Sequence, residues 1–287
     1  MLTFYPTVSH GELGKYAHNV PCMLLPVSSW AAYKLRQQGK HGLTMDKVIG
    51  DIPVPKIPAA VREVAADCGG FVATRKWGSY RYSAGQYVKW LQGLSQLSWA
   101  ATMDFCCENE ITSGQPGIVR MRQDATTDMA HHFWQTYRDV PWVWVPTVQG
   151  WEIADYERHA QELKPLIDEM QAHYGPDSAF RVGIGTLCAR ASVEMIQDVV
   201  LAVAAILPDA PLHLWGVKLG LAKSPIAIPE QVISLDSGAW NGMFGHGRNL
   251  WKETPYSQRE WCLKVALPAY EQKLQNALTN TKQARMF

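Results

Sequence analysis

Three aspartates each follow or end a short apolar run, a position that suits carboxylate chemistry. Asp67 occurs in REVAADCGG, Asp104 in SWAATMDFC and Asp236 in VISLDSG. If these runs are parallel strands of one barrel, their carboxyl ends meet at one mouth and the carboxylates lie close together. Like charges at short range raise the pKa of one member, which separates the roles of general acid and nucleophile. The pattern therefore favours chemistry that uses paired carboxylates.

The strands needed to position these aspartates recur along the chain. Apolar runs rich in β-branched and aromatic residues occur in VPCMLLPVSS, REVAADCGG, SWAATMDFC, VWVPTVQG, FRVGIGTLC, LHLWGVK and VISLDSG. Segments between them, such as ADYERHAQELKPLIDEMQAHY, carry apolar residues at helical spacing. The alternation is typical of parallel βαβ units. With a weaker eighth strand near DKVIGDIPVP, it predicts an α/β fold of the (β/α)8 TIM type. No G-x-G-x-x-G turn follows the first strand, as an open dinucleotide-binding sheet would require.

Composition limits the classes of function. The chain has 287 residues, 47% hydrophobic and 18% charged, which predicts one globular domain over residues 1–287. A net charge of +1 excludes a large global field for nucleic acid, so any such contact must be local. There is no signal-like N-terminus and no run of eighteen apolar residues, so we expect a cytoplasmic protein without a membrane partner. The six cysteines contain no C-x-x-C pair, so we expect free thiols and no metal.

The residues that follow the strands resemble, in order, the motifs of the tRNA-guanine transglycosylases. ADCGGF is similar to T-D-S-G-G-[FY], MDFC to F-D-E-C, and VQG to Q-G-G. GIGTLC is similar to I-G-G-L-A, HLWGV to Y-L-M-G-V, and SLDSGAW to the segment that carries the nucleophile. All six keep the order of that family between Asp67 and Asp236. The set is specific because the order is kept, although each motif alone is weak.

Departures from these motifs indicate a particular branch. The first two motifs are close together, Thr186 replaces a glycine, and no P-T-R follows Asp236. The C-terminal zinc module of the tRNA enzymes has no counterpart, since Cys262 stands alone in the last segment. The chain therefore looks more like the DNA-guanine transglycosylases, the DpdA family of bacteriophages and mobile elements. That family puts 7-deazaguanines into DNA.

The resemblance implies a role for each strand-end residue. Asp236 would be the nucleophile at C1′ of the sugar and Asp67 the general acid/base. Asp104 would accept hydrogen bonds from N1–H and the exocyclic amine of guanine. The donors to O6 and the apolar faces of the base pocket would come from Gln149, Gly185, Thr186, Leu187, Phe71 and Trp215. The implied substrates are DNA and a 7-deazaguanine base of the preQ0 or preQ1 type, with no cofactor.

Contact with DNA is assigned to cations near the two catalytic motifs. The target base must be flipped out or already single-stranded, so the phosphates beside it need local positive charge. Arg75, Lys76 and Arg81 follow the Asp67 motif, and Arg248 and Lys252 follow the Asp236 motif. We predict these five residues at the mouth of the barrel.

Three alternative functions remain open at this point. A tRNA-guanine transglycosylase would share the motifs, and a barrel glycoside hydrolase would share the paired carboxylates but not the ordered guanine-type motifs. A non-catalytic paralogue that binds guanine or nucleic acid would be indicated by the loss of an aspartate. Asp67 and Asp236 are both present.

Overall fold

The protein is an α/β fold built on parallel sheets. The computed structural model describes residues 2–10, 21–188, 190, 192–217, 228–238 and 250–284. The strands are β1 (Thr3–Pro6), β2 (Cys22–Pro26), β3 (Glu63–Asp67), β4 (Leu97–Ala101), β5 (Val143–Val145), β6 (Thr147–Val148), β7 (Val182–Ile184), β8 (Leu212–Leu214) and β9 (Val232–Ser237). One sheet has the order β2-β3-β4-β5 and the other the order β1-β9-β8-β7-β6. All of these pairings are parallel.

The two sheets approach each other at two places. Strand β5 ends at Val145 and β6 begins at Thr147, so only Pro146 separates them. Proline has no N–H for a ladder, which accounts for the break, but its carbonyl oxygen accepts a hydrogen bond from Gly183 N at 2.8 Å. On the opposite side, Thr7 forms a parallel bridge with Leu24 just beyond the end of β1.

Helices alternate with the strands, as the periodicity predicts. They are α1 (Val27–Lys40), α2 (Gly70–Trp77), α3 (Ala84–Gln92), α4 (Asn109–Thr112), α5 (Pro116–Tyr137), α6 (Ile153–Tyr174), α7 (Val193–Ile206), α8 (Gln258–Trp261) and α9 (Leu267–Ala284). A π-helical turn, Cys262–Ala266, joins the last two. None of the described helices combines the length and apolar character needed to cross a bilayer.

The core has two parts. The larger part packs the helices against the outer faces of the strands. A smaller inner cluster consists of Tyr5, Leu24, Ala65, Trp99 and Val145, one residue from each of the strands β1 to β5. The strands are therefore buried on both faces, which explains their nearly continuous apolar runs.

The predicted strand near DKVIGDIPVP is wrong, and β1 is a strand that the sequence pattern did not predict. Backbone N–H groups of the 46–55 segment donate to groups outside the sheets. Val48 N donates to Arg81 O at 2.7 Å, and Ile49 N donates to Gln38 Oε1 at 2.8 Å. Two prolines in this segment also remove backbone donors. β1 is short and lies beside β9, with Tyr5 opposite Asp236.

Candidate active site

A cavity of about 800 Å³ opens at the carboxyl ends of the strands. This is the end at which parallel α/β folds place their ligands. Nine of the residues predicted from sequence line it: Asp67, Phe71, Arg75, Asp104, Gln149, Gly185, Thr186, Trp215 and Asp236. Residues that are far apart in the sequence therefore share one cavity.

Asp236, at the end of β9, is held by donors on both carboxylate oxygens. Its Oδ1 accepts from Gly216 N at 2.7 Å, and its Oδ2 accepts from Thr7 Oγ1 at 2.8 Å. The imidazole Nε2 of His213 lies 3.4 Å from Oδ1. The side chain is only 7% exposed. Its orientation is therefore fixed before any substrate binds.

His213 lies against the Asp236 carboxylate, and its imidazole ring is neutral. Burial lowers the pKa of His213 from its usual 6.5, and the charge of Arg181 acts in the same direction, against the opposing effect of Asp236. His213 Nδ1 and the Arg181 guanidinium both lie 2.9 Å from Ser234 Oγ. Ser234 therefore orients the His213 ring through Nδ1. The neutral ring places no formal positive charge beside Asp236.

Asp67, at the end of β3, has a different environment. Burial raises the pKa of Asp67 to about 7, and the carboxylates of Asp104 and Asp236 add to this shift. A hydrogen bond from Gly69 N to Oδ1, at 2.9 Å, opposes it. A carboxyl group that titrates near neutral pH can both give and take a proton during turnover.

Asp104 and Gln149 form a hydrogen-bonded chain along one wall of the cavity. Asp104 Oδ1 accepts from the Cys68 thiol at 3.1 Å, and Oδ2 accepts from Gln149 Nε2 at 2.5 Å. Gln149 Oε1 in turn accepts from Thr186 Oγ1 at 2.6 Å. Burial raises the pKa of Asp104, while its hydrogen bonds with Cys68 and Gln149 lower it. This wall offers an acceptor and a donor side by side, as the edge of a guanine requires.

Buried helix residues fix the backbone behind this wall. Gln149 N donates to His159 Nδ1 at 2.8 Å, and Gln123 Nε2 donates to Gln149 O at 2.6 Å. Burial lowers the pKa of His159 to about 4, so the ring is neutral and can accept this hydrogen bond. Tyr156 OH donates to Gly185 O at 2.9 Å. These partners hold the loops after β6 and β7 in one conformation.

Two glycines permit the close packing of the wall. A Cβ on Gly70 would lie 2.1 Å from Asp104 Oδ1, and one on Gly185 would lie 2.3 Å from Gln149 Nε2. Both distances are far below a normal contact, so any side chain would displace the Asp104 and Gln149 side chains. These positions therefore require glycine for packing.

Thr186 stands where the similar family motif has a glycine. Its backbone has a conformation that glycine adopts readily. Its φ is 55°, a left-handed conformation that costs free energy for a β-branched residue. The hydroxyl offsets this cost by donating to Gln149 and accepting from Cys107 N at 2.9 Å. The next residue, Leu187, is buried in the core and does not line the cavity.

Two aromatic side chains line the cavity. The Trp215 ring lies 4.4 Å from the His213 ring and 5.8 Å from Trp99, measured between centroids. Phe71, on α2, is half-buried, and the guanidinium of Arg75 lies 5.6 Å from its ring centroid. Both rings are thus available to a flat ligand.

The predicted DNA-contacting cations are placed differently from one another. Arg75 lines the cavity and pairs with Glu110 at 2.5 Å. Lys76 and Lys252 are exposed. Arg81 is instead bonded to the loop at residues 45 and 46, so its guanidinium has a structural partner. Arg248 lies outside the described residues.

Several lining residues were not predicted as site residues: Thr7, Cys68, Gly70, Cys106, Glu108 and Cys188. Thr7 follows the short apolar run TFYP, which is a strand signal that could have found it. Glu108 has no comparable signal, yet its carboxylate is 1% exposed and burial raises its pKa to about 7. In the part of the chain that the structure describes, no group of three or more His, Cys, Asp or Glu is arranged to hold a metal ion.

Comparison with known proteins identifies the family. The family model of DpdA, deoxypurine in DNA protein A, matches residues 52–276, which is more than half of the 287-residue chain. A search of curated proteins found no match. The matched span contains β3, with Asp67 at its end, and continues past Asp236 on β9. It therefore includes all three strand-end aspartates, and the chain belongs to the DpdA family.

Proposed function

We propose that this protein is a transglycosylase that replaces guanine in DNA with a 7-deazaguanine derivative. The observation that carries the proposal is that Asp67, Asp104 and Asp236 line one cavity in three different environments. The name of the family, deoxypurine in DNA protein A, supports DNA as the polymer. We assign the whole chain to one domain with this activity, a pentosyltransferase that uses no cofactor.

In the first half-reaction, a carboxylate oxygen of Asp236 attacks C1′ of the deoxyribose. The bond between C1′ and N9 breaks, and its electron pair leaves with guanine, which takes up a proton from Asp67. The product is a covalent glycosyl-aspartate, so the DNA backbone stays intact while the base is absent. The hydrogen bonds from Thr7 and Gly216 aim the Asp236 carboxylate for this attack.

In the second half-reaction, the incoming base uses the same two groups in reverse. Asp67, now a carboxylate, takes the proton from N9 of the 7-deazaguanine. N9 then attacks C1′, and Asp236 leaves as a carboxylate. A pKa of about 7 suits Asp67 to both directions because neither protonation state is strongly disfavoured at neutral pH.

Recognition of the base is assigned to the wall formed by Asp104, Gln149 and Thr186. These side chains bond to one another. We infer that a bound guanine replaces part of this chain: its N1–H and amine donate to Asp104, and its O6 accepts from the Gln149 amide. Phe71 and Trp215 supply the apolar faces. A base lacking these groups would leave buried partners unpaired.

The strands are proposed to close into an eight-stranded barrel of the TIM type. In this arrangement β5 and β6 are one strand interrupted at Pro146, and β1 pairs with β2 through the Thr7–Leu24 bridge. The hydrogen bond from Val8 N to Leu24 O, at 2.9 Å, supports the second closure. A closed ring would point all of the strand ends into one mouth.

DNA would enter this mouth as a single strand or as a flipped nucleotide. We assign phosphate contacts to Arg75, Lys76 and Lys252, and we leave Arg81 out because it is bonded to the 45–46 loop. Arg248 stays a prediction from sequence.

The experiment offers radiolabelled guanine, and separately a labelled 7-deazaguanine, with single-stranded DNA, duplex DNA and unmodified tRNA. We expect label in DNA and none in tRNA. Asp236→Asn is the matched control, since it keeps the shape of the side chain and removes the nucleophile.

Two other results would replace the proposal. Label in tRNA alone would assign the protein to the tRNA reaction. A folded protein that binds guanine without labelling either polymer would be the non-catalytic paralogue.

A further inference from the structure

Glu108 is a buried carboxylate in the cavity that the reaction described above does not use. Its side chain is 1% exposed and lines the cavity. Among the described residues, Oε2 is completely buried and has no hydrogen-bond partner. The other oxygen, Oε1, accepts a long hydrogen bond from the Cys188 thiol at 4.0 Å. A buried carboxylate oxygen without a donor is costly, so Oε2 is suited to a donor that arrives with a ligand.

The local structure does not explain this carboxylate. Glu108 is the N-cap residue of α4, but its side chain makes no capping hydrogen bond. Two guanidinium groups influence it electrostatically, and both are bonded to other groups: Arg122 to Thr74 Oγ1 and the Cys106 carbonyl, and Arg75 to Glu110. In the described part of the chain, Arg75 pairs with Glu110, and Glu108 Oε2 has no hydrogen-bond partner.

The position of Glu108 follows from the loops that carry it. Cys107 N donates to Thr186 Oγ1 at 2.9 Å, which ties the loop after β4 to the loop after β7. The Cys188 thiol then lies 4.0 Å from Glu108 Oε1. Glu108 is therefore beside the wall that contains Asp104 and Thr186. Hydrogen bonds give the order of the groups along this wall: Asp104 is joined to Thr186 through the Gln149 amide, and Thr186 is joined through Cys107 to the loop that carries Glu108.

The order of these protein groups can be compared with the order of the atoms along the edge of a bound base. With N9 within reach of Asp67, as the proposed proton transfer requires, and N1 at Asp104, O6 lies toward Gln149 and Thr186. The ring position next to O6 on the remaining edge is C7, and the protein groups next to Thr186 are Cys188 and Glu108. A substituent on C7 would therefore extend toward the Glu108 carboxylate.

Resting on the proposed function, we propose that Glu108 binds the C7 substituent of the incoming base and selects a cationic hydrogen-bond donor. An aminomethyl group fits this chemistry because its ammonium supplies both the hydrogen bond and the charge that Glu108 lacks. A nitrile carries no proton and gives an ionised carboxylate nothing to accept. The neighbouring thiols of Cys106 and Cys188 are poor competitors for an ammonium ion.

The test measures the affinity of the free bases by calorimetry at pH 8, without requiring turnover. The ligands are 7-aminomethyl-7-deazaguanine, 7-cyano-7-deazaguanine and unsubstituted 7-deazaguanine. We expect the parent to bind the aminomethyl base at least about tenfold more tightly than the unsubstituted base, since a charge-assisted hydrogen bond is worth that much. Glu108→Gln should remove most of this preference.

Glu110→Gln is the matched control, because it deletes the same charge two residues away on an exposed side chain. It should keep the preference of the parent. A parent that favours the nitrile or shows no preference, or a Glu108→Gln variant that retains the aminomethyl preference, would overturn the assignment.

Base exchange into DNA, measured with the same preparations, separates this inference from the proposed function. Suppose that Glu108→Gln loses the aminomethyl preference while the parent exchanges no base. This result would overturn the proposed transglycosylase activity and keep the assignment of Glu108. Exchange by the parent with unchanged selectivity in Glu108→Gln would remove only the Glu108 site.

Discussion

At the scale of single residues, the surroundings of the two catalytic candidates separate their proposed roles. Asp236 accepts hydrogen bonds on both oxygens, from Thr7 and Gly216, which fixes its direction. Asp67 accepts a hydrogen bond from Gly69 N, and burial raises its pKa to about 7. An aspartate side chain is therefore suited to covalent attack at the end of one strand and to proton transfer at the end of another.

Asp236→Asn should lower the rate of base exchange by at least about a thousandfold, because an amide is a very poor nucleophile for C1′. The measurement is incorporation of labelled base, together with a gel assay for a covalent DNA adduct. The unfolding temperature serves as the control for folding, because asparagine keeps the size of the side chain. An Asp236→Asn variant that still exchanges bases would transfer the nucleophile to another residue.

The pH dependence of adduct formation should report the titration of Asp67. Guanine release needs the protonated form, so the single-turnover rate should fall as the pH rises through about 7. Asp67→Asn should be slow throughout and lose this inflection. Rates that stay constant between pH 6 and 8, a window set by that pKa, would contradict the proposed role.

At the scale of elements, the site depends on how closely neighbouring loops pack at the ends of parallel strands. The first turn of α2 passes over Asp104, and the end of β7 passes over Gln149. Helix α6 supplies His159 and Tyr156 to hold the backbone behind them. The proposed base recognition would therefore depend on several elements in contact.

Gly70→Ala should lower kcat/KM for base exchange by about tenfold or more, because its Cβ would lie 2.1 Å from Asp104 Oδ1. Gly117→Ala on α5 is the control, since a Cβ there meets nothing within 4 Å. Steady-state kinetics with labelled guanine provide the measurement. Equal effects of the two substitutions would show that close packing at Gly70 is unimportant for the site.

At the scale of the whole molecule, charge limits how DNA can be held. The net charge is +1, so we propose that binding relies on a few local cations. Arg75, Lys76 and Lys252 are the described residues to which we assign this role. Such a footprint is small and leaves most of the surface electrostatically balanced.

The affinity for single-stranded DNA should therefore depend only weakly on salt. Three phosphate contacts predict a slope of about −2 in a plot of log K against log salt concentration. Lys76→Ala and Lys252→Ala should each reduce the magnitude of the slope by about 0.7. Lys164→Ala, which removes a lysine paired with Asp168 on α6, should leave it unchanged. A much steeper slope would mean a larger footprint.

The amino-acid sequence by itself determined the alternation of strands and helices and the residues at the strand ends. Parallel strands buried on both faces require continuous apolar runs, and the polar residues that interrupt these runs stand out, as Asp67 and Asp236 do. Nine predicted residues line the cavity: seven were predicted as strand-end residues, Phe71 was predicted from the family resemblance, and Arg75 was predicted as a cation that follows the Asp67 motif. The order of the motifs also indicated the family that the comparison identified.

Only the tertiary structure decided which residues surround those strand ends. The 46–55 segment has strand-like composition, but its backbone bonds to residues distant in sequence, and β1 takes the strand position beside Asp236. Thr7, the buried Glu108 and the inward packing of Leu187 depend on such long-range contacts. A local pattern records the periodicity of burial, whereas the partner of a buried polar group is set by the folding of the whole chain.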